Sequence, residues 1–208
     1  MATAKLVPSS YYLSSAYLVM SDAENMYDDV SSADYATLTN TNASTSYYYC
    51  YIRGFNISDI PATAVVSSFT VKIRGRASGA YNSAMYLCHG TTTISNATAT
   101  QFPNSSSFST RTFANGSLTW SDIAGYGDTF GIRINCRRNA KNTQSYYYII
   151  GAEIDVTYEV PVITESLYFK NNGSWTQASK AFKKVGGVWV EQADLTTVFD
   201  PGTNYIRG

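Results

Sequence analysis

The segment 67–76, SSFTVKIRGR, alternates apolar and polar side chains with a period of two. Phe69, Val71 and Ile73 share one side, and Thr70, Lys72 and Arg74 the other. Residues 129–138, TFGIRINCRR, repeat the pattern, with Phe130, Ile132, Ile134 and Cys136 opposite Arg133, Asn135 and Arg137. Residues 146–160, YYYIIGAEIDVTYEV, do so again, placing Ile150, Ala152, Ile154, Val156 and Tyr158 opposite Glu153, Asp155, Thr157 and Glu159. Such runs are half-buried antiparallel strands with one wet face. Weaker strands are expected near 47–55, 84–89 and 111–114. Turn-rich stretches such as GRASGAYN and FANGS separate them. No long stretch carries a 3.6-residue period. Short helical turns are expected at SDAENMYDD and TWSDIAGY, with Ser21 and Thr119 as caps. The expected fold is all-β, an antiparallel β-sandwich of jelly-roll type over residues 1–160. A small C-terminal hairpin element follows over 161–208.

The chain has 15 basic and 15 acidic residues, so its formal net charge is zero. That balance disfavours a general nucleic-acid binder. Arg137, Arg138 and Lys141 read as a basic hairpin tip and not a nucleic-acid site. No apolar run reaches the ~18 residues of a membrane span. The start, MATAKLVPSSYYLSSAYLV, does not read as a signal peptide, so synthesis in a cytoplasm is expected. Cys50, Cys88 and Cys136 each lie in a strand-like run and are expected to be buried, free thiols. His89 is the single histidine and reads as a strand-end residue. Asp22, Glu24, Asp28, Asp29 and Asp34 read as a solvated acidic loop, with an irregular calcium site as the alternative. No catalytic, metal or cofactor site is expected.

The runs Tyr47–Tyr49 and Tyr146–Tyr148 stand out among eighteen tyrosines. Neighbouring residues of a strand point to opposite faces, so some of these rings must lie outside. Tyr47, Tyr49, Tyr146 and Tyr148 are therefore interaction candidates. Cross-strand pairing, a protein interface and a sugar-stacking platform all fit them.

Near the C-terminus one short unit is written twice, as LYFKNNGSWTQA from Leu167 and AFKKVGGVWVEQ from Ala181. Tyr168 corresponds to Phe182, Lys170 to Lys184 and Trp175 to Trp189. Asn172-Gly173 and Gly186-Gly187 are two-residue turn signals, so each copy reads as a hairpin. A lone hairpin is marginal in water. These six aromatic and lysine positions are thus candidates for docking or oligomerisation, with simple cover of a sheet edge as the alternative.

The segments NMYDDVSSADYATLTNTNAS, YYYCYIRGFNISDIPATAVVSSFTVKIRG, GSLTWSDIAGYGDTFGIRI and SYYYIIGAEIDVTYEVP together resemble a β-sandwich domain of structural proteins in tailed phages and prophages of Gram-positive bacteria. The C-terminal doublet resembles the K-x-x-G-x-W repeats of phage tail and fibre proteins. The resemblance implies a non-enzymatic virion protein, either a capsid decoration or head fibre or an accessory tail or baseplate component. It implies other virion proteins and copies of itself as partners, and location in the virion. A carbohydrate-binding module recognising a host-surface glycan is the alternative.

Overall fold

The computed structural model describes residues 1–161 apart from 43–45, 79–82, 96 and 139–143, and the backbone alone of four C-terminal strands. The chain divides into two compact units, Met1–Val160 and Pro161–Gly208. In the first, the strands run β1 (Ala2–Leu6), β2 (Ser10–Leu13), β3 (Leu18–Ser21), β4 (Ala36–Asn40), β5 (Tyr48–Arg53), β6 (Val65–Ser78), β7 (Ala84–His89), β8 (Thr92–Thr93), β9 (Thr100–Gln101), β10 (Ser109–Thr112), β11 (Phe130–Cys136) and β12 (Ser145–Glu159). One sheet has the order β10-β6-β12-β4-β3, with β1 beside the far half of β12. The other has the order β2-β5-β11-β7-β8, with β9 also on β7. From β4 onward the chain crosses between sheets at almost every step. The resulting neighbours, β4-β12-β6-β10 facing β5-β11-β7-β8, are those of a jelly roll. The all-β sandwich is thus the observed architecture.

The inward faces of the alternating strands meet in one core. Val71 and Ile73 from β6, Ile132 and Ile134 from β11, and Ala152, Ile154 and Val156 from β12 are all buried there. β12 does not keep a single alternation. Its first half turns Tyr147 and Ile149 inward, whereas its second half turns Ala152 and Ile154 inward. The change of parity is absorbed by an irregularity in the β12–β6 register between Ile149 and Gly151. Ile150, expected on the core face, is therefore buried outside the core cluster.

Helix α1 (Trp120–Tyr126) starts at Thr119, whose hydroxyl accepts from the Asp122 N–H while the Asp122 carboxylate accepts from the Thr119 N–H, a capping box. The expected cap at Ser21 is not formed. The 3-10 turn Ala23–Tyr27 begins after Asp22, which sits at φ 52° in the left-handed region and makes no side-chain cap bond. Asp is one of the few residue types that tolerates that conformation. The acidic run is largely solvated, as expected: Asp22, Glu24, Asp28 and Asp34 are exposed and Asp29 is half-buried. Its residues Asp28–Val30 lie against the outer face of β12, where a Cβ on Gly151 would stand 2.3 Å from the Asp28 carbonyl oxygen.

The three cysteines are free and buried. Burial pushes the Cys50 and Cys88 thiols up to about 12, and raises Cys136 well above its ordinary value. At pH 8 almost none is thiolate, the reactive form. An aromatic disulfide reagent should therefore label no thiol of the native protein over minutes, and all three at once on unfolding in denaturant. Fast labelling of one cysteine in the native state would contradict the burial described.

In the second unit, Tyr168–Asn171 pairs with Ser174–Gln177, and Ala181–Val185 pairs with Val188–Gln192. Lys170 stands opposite Trp175 and Lys184 opposite Trp189, the same register in both hairpins. The turns Asn172-Gly173 and Gly186-Gly187 lie outside the described residues, as do the side chains of Tyr168, Lys170, Trp175, Phe182, Lys184 and Trp189.

Candidate functional site

The outer face of the β2-β5-β11-β7 sheet carries an unusual side-chain set. Since Cys50 and Ile52, Ile132 and Ile134, and Met85 and Leu87 point into the core, alternation turns Tyr49, Tyr51 and Arg53, Arg133 and Asn135, and Tyr86 and Cys88 outward. The register then aligns them across strands. Tyr12 is opposite Tyr51, Tyr51 opposite Arg133, and Arg133 opposite Tyr86. One row across four strands thus reads Tyr12, Tyr51, Arg133, Tyr86. In the next row Gly131 lies between Arg53 and Cys88. A Cβ on Gly131 would stand 2.9 Å from Arg53 Cγ, so the glycine leaves the room in which the Arg53 stem lies.

The guanidiniums sit over rings. Arg53 lies 5.6 Å from the Tyr12 centroid and 4.8 Å from that of Tyr51. Arg133 lies 5.0 Å from Tyr49 and 4.7 Å from Tyr86. Arg137 lies 5.1 Å from Tyr47 and donates to its hydroxyl at 3.2 Å. Each such contact is worth about 0.5–2 kcal/mol, more as water is excluded. Rings neutralise no charge, however. Among the described residues no carboxylate lies within ion-pair distance of Arg53 or Arg133. The described ion pairs join Lys5, Lys72 and the N-terminus to Asp29, Glu153, Asp155 and Glu159, around the other sheet. Arg53 Nε and Nη2 and Arg133 Nε are inaccessible to solvent yet make no hydrogen bond. Cys88, across Gly131 from Arg53, feels the charge of both arginines. Burial raises its thiol, and both guanidiniums oppose that without overcoming it. Two cations are thus held in fixed places on a ring-lined face, with no counter-charge among the described residues.

The opposite outer face carries a different aromatic cluster. Tyr146 and Tyr148 stack with centroids 6.2 Å apart, and Tyr35 meets Tyr148 edge-on at 5.5 Å. Arg76 covers Tyr148 at 3.9 Å and Phe108 at 5.0 Å. The four tyrosines singled out in the sequence are therefore split. Tyr47 and Tyr49 lie on one sheet's outer face, Tyr146 and Tyr148 on the other's. Tyr12, Tyr51, Tyr86, Arg53 and Arg133 were not singled out. The signal for them is the alternation of YYYCYIRG and TFGIRINCRR, extended from each strand's core side to its outer side. His89, at the end of β7, stacks flat on Tyr126 of α1 at 4.6 Å. Among the described residues no group of three His, Cys, Asp or Glu side chains is placed to hold a metal ion.

No family model matches the chain, and no curated protein matches it. It is similar to a solved cyclase from Fischerella sp. TAU in complex with 4-(1H-indol-3-yl)butan-2-one, at 11% identity and a TM-score of 0.27, covering 72% of this chain and 89% of that one. A Stig cyclase, Fisc, from the same organism, in complex with (3Z)-3-(1-methyl-2-pyrrolidinylidene)-3H-indole, is similar at 11% identity and a TM-score of 0.26, covering 71% of this chain and 89% of that one. These solved structures are cyclases, and no family or curated match supports the expected non-enzymatic phage structural component, so that expectation is set aside. Likeness at that level carries neither fold nor activity across to this chain.

Proposed function

We propose that the outer face of the β2-β5-β11-β7 sheet binds an anionic ligand, and that the ligand is an acidic oligosaccharide. The observation that carries this reading is the pair Arg53 and Arg133, each layered on tyrosine rings and neither facing a carboxylate. A planar guanidinium suits carboxylate and sulfate groups, often by paired hydrogen bonds. Tyr12, half exposed beside Arg53, offers an apolar face on which a sugar ring can lie, with a hydroxyl to bond its edge. Strand geometry separates Arg133 from Arg137 by about 13 Å at ~3.3 Å per residue, a spacing that repeated charges along a polymer can meet.

The test is calorimetric titration of the full chain with acidic oligosaccharides such as polyuronates and sulfated glycans, and with neutral ones of equal length. Binding of the acidic set should weaken as salt rises, since exposed charge pairs are screened. Arg53→Gln and Arg133→Gln should each lower affinity by roughly tenfold or more, the usual size of a lost charge-assisted hydrogen bond. Arg76→Gln, on the other sheet, should leave it unchanged. Equal binding of neutral and acidic ligands, or insensitivity to both arginine changes, would remove the proposal.

A further inference from the structure

We infer that the sandwich pairs with a second copy of itself along the side formed by β2 and β3. These two strands end the two sheets, each with a strand neighbour on one side only among the described residues. Only residues 14–17 join them, so the two free edges run along the same side of the sandwich. Tyr17 in that connection packs on Tyr48 of β5 at 5.6 Å, tying the edges together. A free edge is a template for another strand, and proteins commonly blunt it with a charge, a proline or brevity. The other edges here show such devices. β10 carries Arg111, β1 carries Lys5, and β8 and β9 have two residues each. The β2–β3 side has strands of four residues each but neither charge nor proline. Residues 9–21, SSYYLSSAYLVMS, contain no charged residue and no proline. Yet Tyr12 is 50% exposed, and Tyr17 and Val19 are 52% exposed each.

The absence of charge is what points to a second copy. A two-fold contact brings residues close to the axis near their own twins, so a charge there meets a like charge. Thirteen neutral residues in succession avoid that repulsion and offer nothing to an oppositely charged partner. The backbone supports the same pairing. Thr41 N–H donates to the Tyr17 carbonyl at 2.9 Å, so by alternation Tyr17, Val19 and Ser21 bond towards β4. Leu18 and Met20 then face away from the sheet; the Leu18 N–H is taken by the Ser15 carbonyl at 3.1 Å, which leaves the Met20 N–H and the Leu18 and Met20 carbonyls for an antiparallel β3 of a second copy. Tyr11 and Tyr12 on the neighbouring edge add apolar area to so short a strand pair. This inference shares Tyr12 with the anionic-ligand reading but rests on the free edge and not on the arginines.

Sedimentation and light scattering of the full chain across a range of concentrations should give the mass of two chains, against the 22.8 kDa of one. Val19→Lys puts a charge facing its twin and should weaken association by tenfold or more. Val65→Lys, an equal charge change on another exposed valine, should not. Hydrogen exchange on the unaltered protein supplies a readout without any variant. The amide of Met20 should exchange more slowly as concentration rises. A monomer at every concentration, a dimer indifferent to Val19→Lys, or exchange at Met20 that ignores concentration would each overturn the inference.

Discussion

Glu153→Ala is expected to destabilise the sandwich by about 3 kcal/mol, near the lower end of what removing one member of a buried ion pair costs. Glu153 points to the outer face of β12, yet it is 1% exposed. The segment Asp28–Val30 covers it. Its carboxylate accepts from the Val30 N–H at 3.2 Å, while Arg74 donates to the Val30 carbonyl at 3.1 Å, so two side chains of the sheet hold both backbone groups of one residue. Lys5 lies 3.5 Å and Lys72 3.4 Å from the two Glu153 oxygens. Lys5 also reaches Asp29, and Lys72 also reaches Asp155. Alanine leaves the Val30 N–H without its acceptor and two ammonium groups short of one counter-charge. For the sandwich this corresponds to a fall in Tm of roughly 6–12 °C. Glu153→Gln keeps an acceptor for Val30 and should fall between. Lys5→Ala should cost little, because that ammonium is half exposed. Thermal denaturation of the three variants decides the matter. A loss for Glu153→Ala no larger than for Lys5→Ala would mean the strap is held by other contacts.

The same cluster has a pH signature. Lys5 and Lys72 are held above the ordinary lysine value, Lys5 first by the charge of Glu153 and Lys72 first by its hydrogen bond to Asp155. A raised cationic pKa means the folded state binds the proton more tightly. The stabilisation is therefore complete below the unfolded lysine value and is lost as pH rises through the folded one. The Asp29 carboxyl is held low, first by the Ser31 hydroxyl and N–H and then by Lys5. Its contribution is present above the unfolded carboxylate value and is lost as pH falls through the lower folded one.

The long strands were legible because each has one dry and one wet side, which writes itself as period two. The early strands were not. β1, β2 and β3 are edge or end strands whose residues are mostly exposed, so burial imposes no alternation on ATAKL, SYYL or LVMS. Glu153 was placed on the wet face with Asp155, and the face is correct. What covers it comes from residues 123 positions away, admitted by the missing side chain of Gly151, and no local pattern encodes that approach. The arginine–tyrosine face has the same character. Each strand discloses its own outward residues, but Arg53 and Arg133 become neighbours only through the β5–β11 register. The parity change in β12 is likewise a property of two strands and not of one.

Tyr147 is where that parity matters most, and Tyr147→Ala is expected to cost about 3–5 kcal/mol, the range for deleting a buried aromatic ring. Of the run Tyr146–Tyr148, the middle ring is fully buried between the sheets while its neighbours lie outside. It meets Phe102 edge-on at 5.4 Å, and in register it lies between Leu38 and Ala77. Its hydroxyl accepts from the Arg137 N–H at 2.8 Å, donates to the Arg137 carbonyl at 3.0 Å and lies 2.6 Å from the Ser83 hydroxyl. Since Tyr147 belongs to one sheet and Arg137 follows the last residue of β11 in the other, this phenol joins the two layers. Tyr147→Phe keeps the ring and removes only that link, for an expected loss of about 1–3 kcal/mol, the cost of stranding buried polar partners. Burial also holds the phenol well above its ordinary pKa. The folded state therefore retains a proton that the unfolded state loses near pH 10, so stability falls as pH climbs through that value. Tyr147→Phe should make that alkaline decline shallower, which a mere loss of packing would not do. Tyr146→Phe and Tyr148→Phe, on the outer face, should change stability by only about 0.5 kcal/mol. Denaturant titrations of the three Phe variants at neutral and alkaline pH provide the measurement. Equal effects at all three positions would show that the phenol does not bridge the sheets.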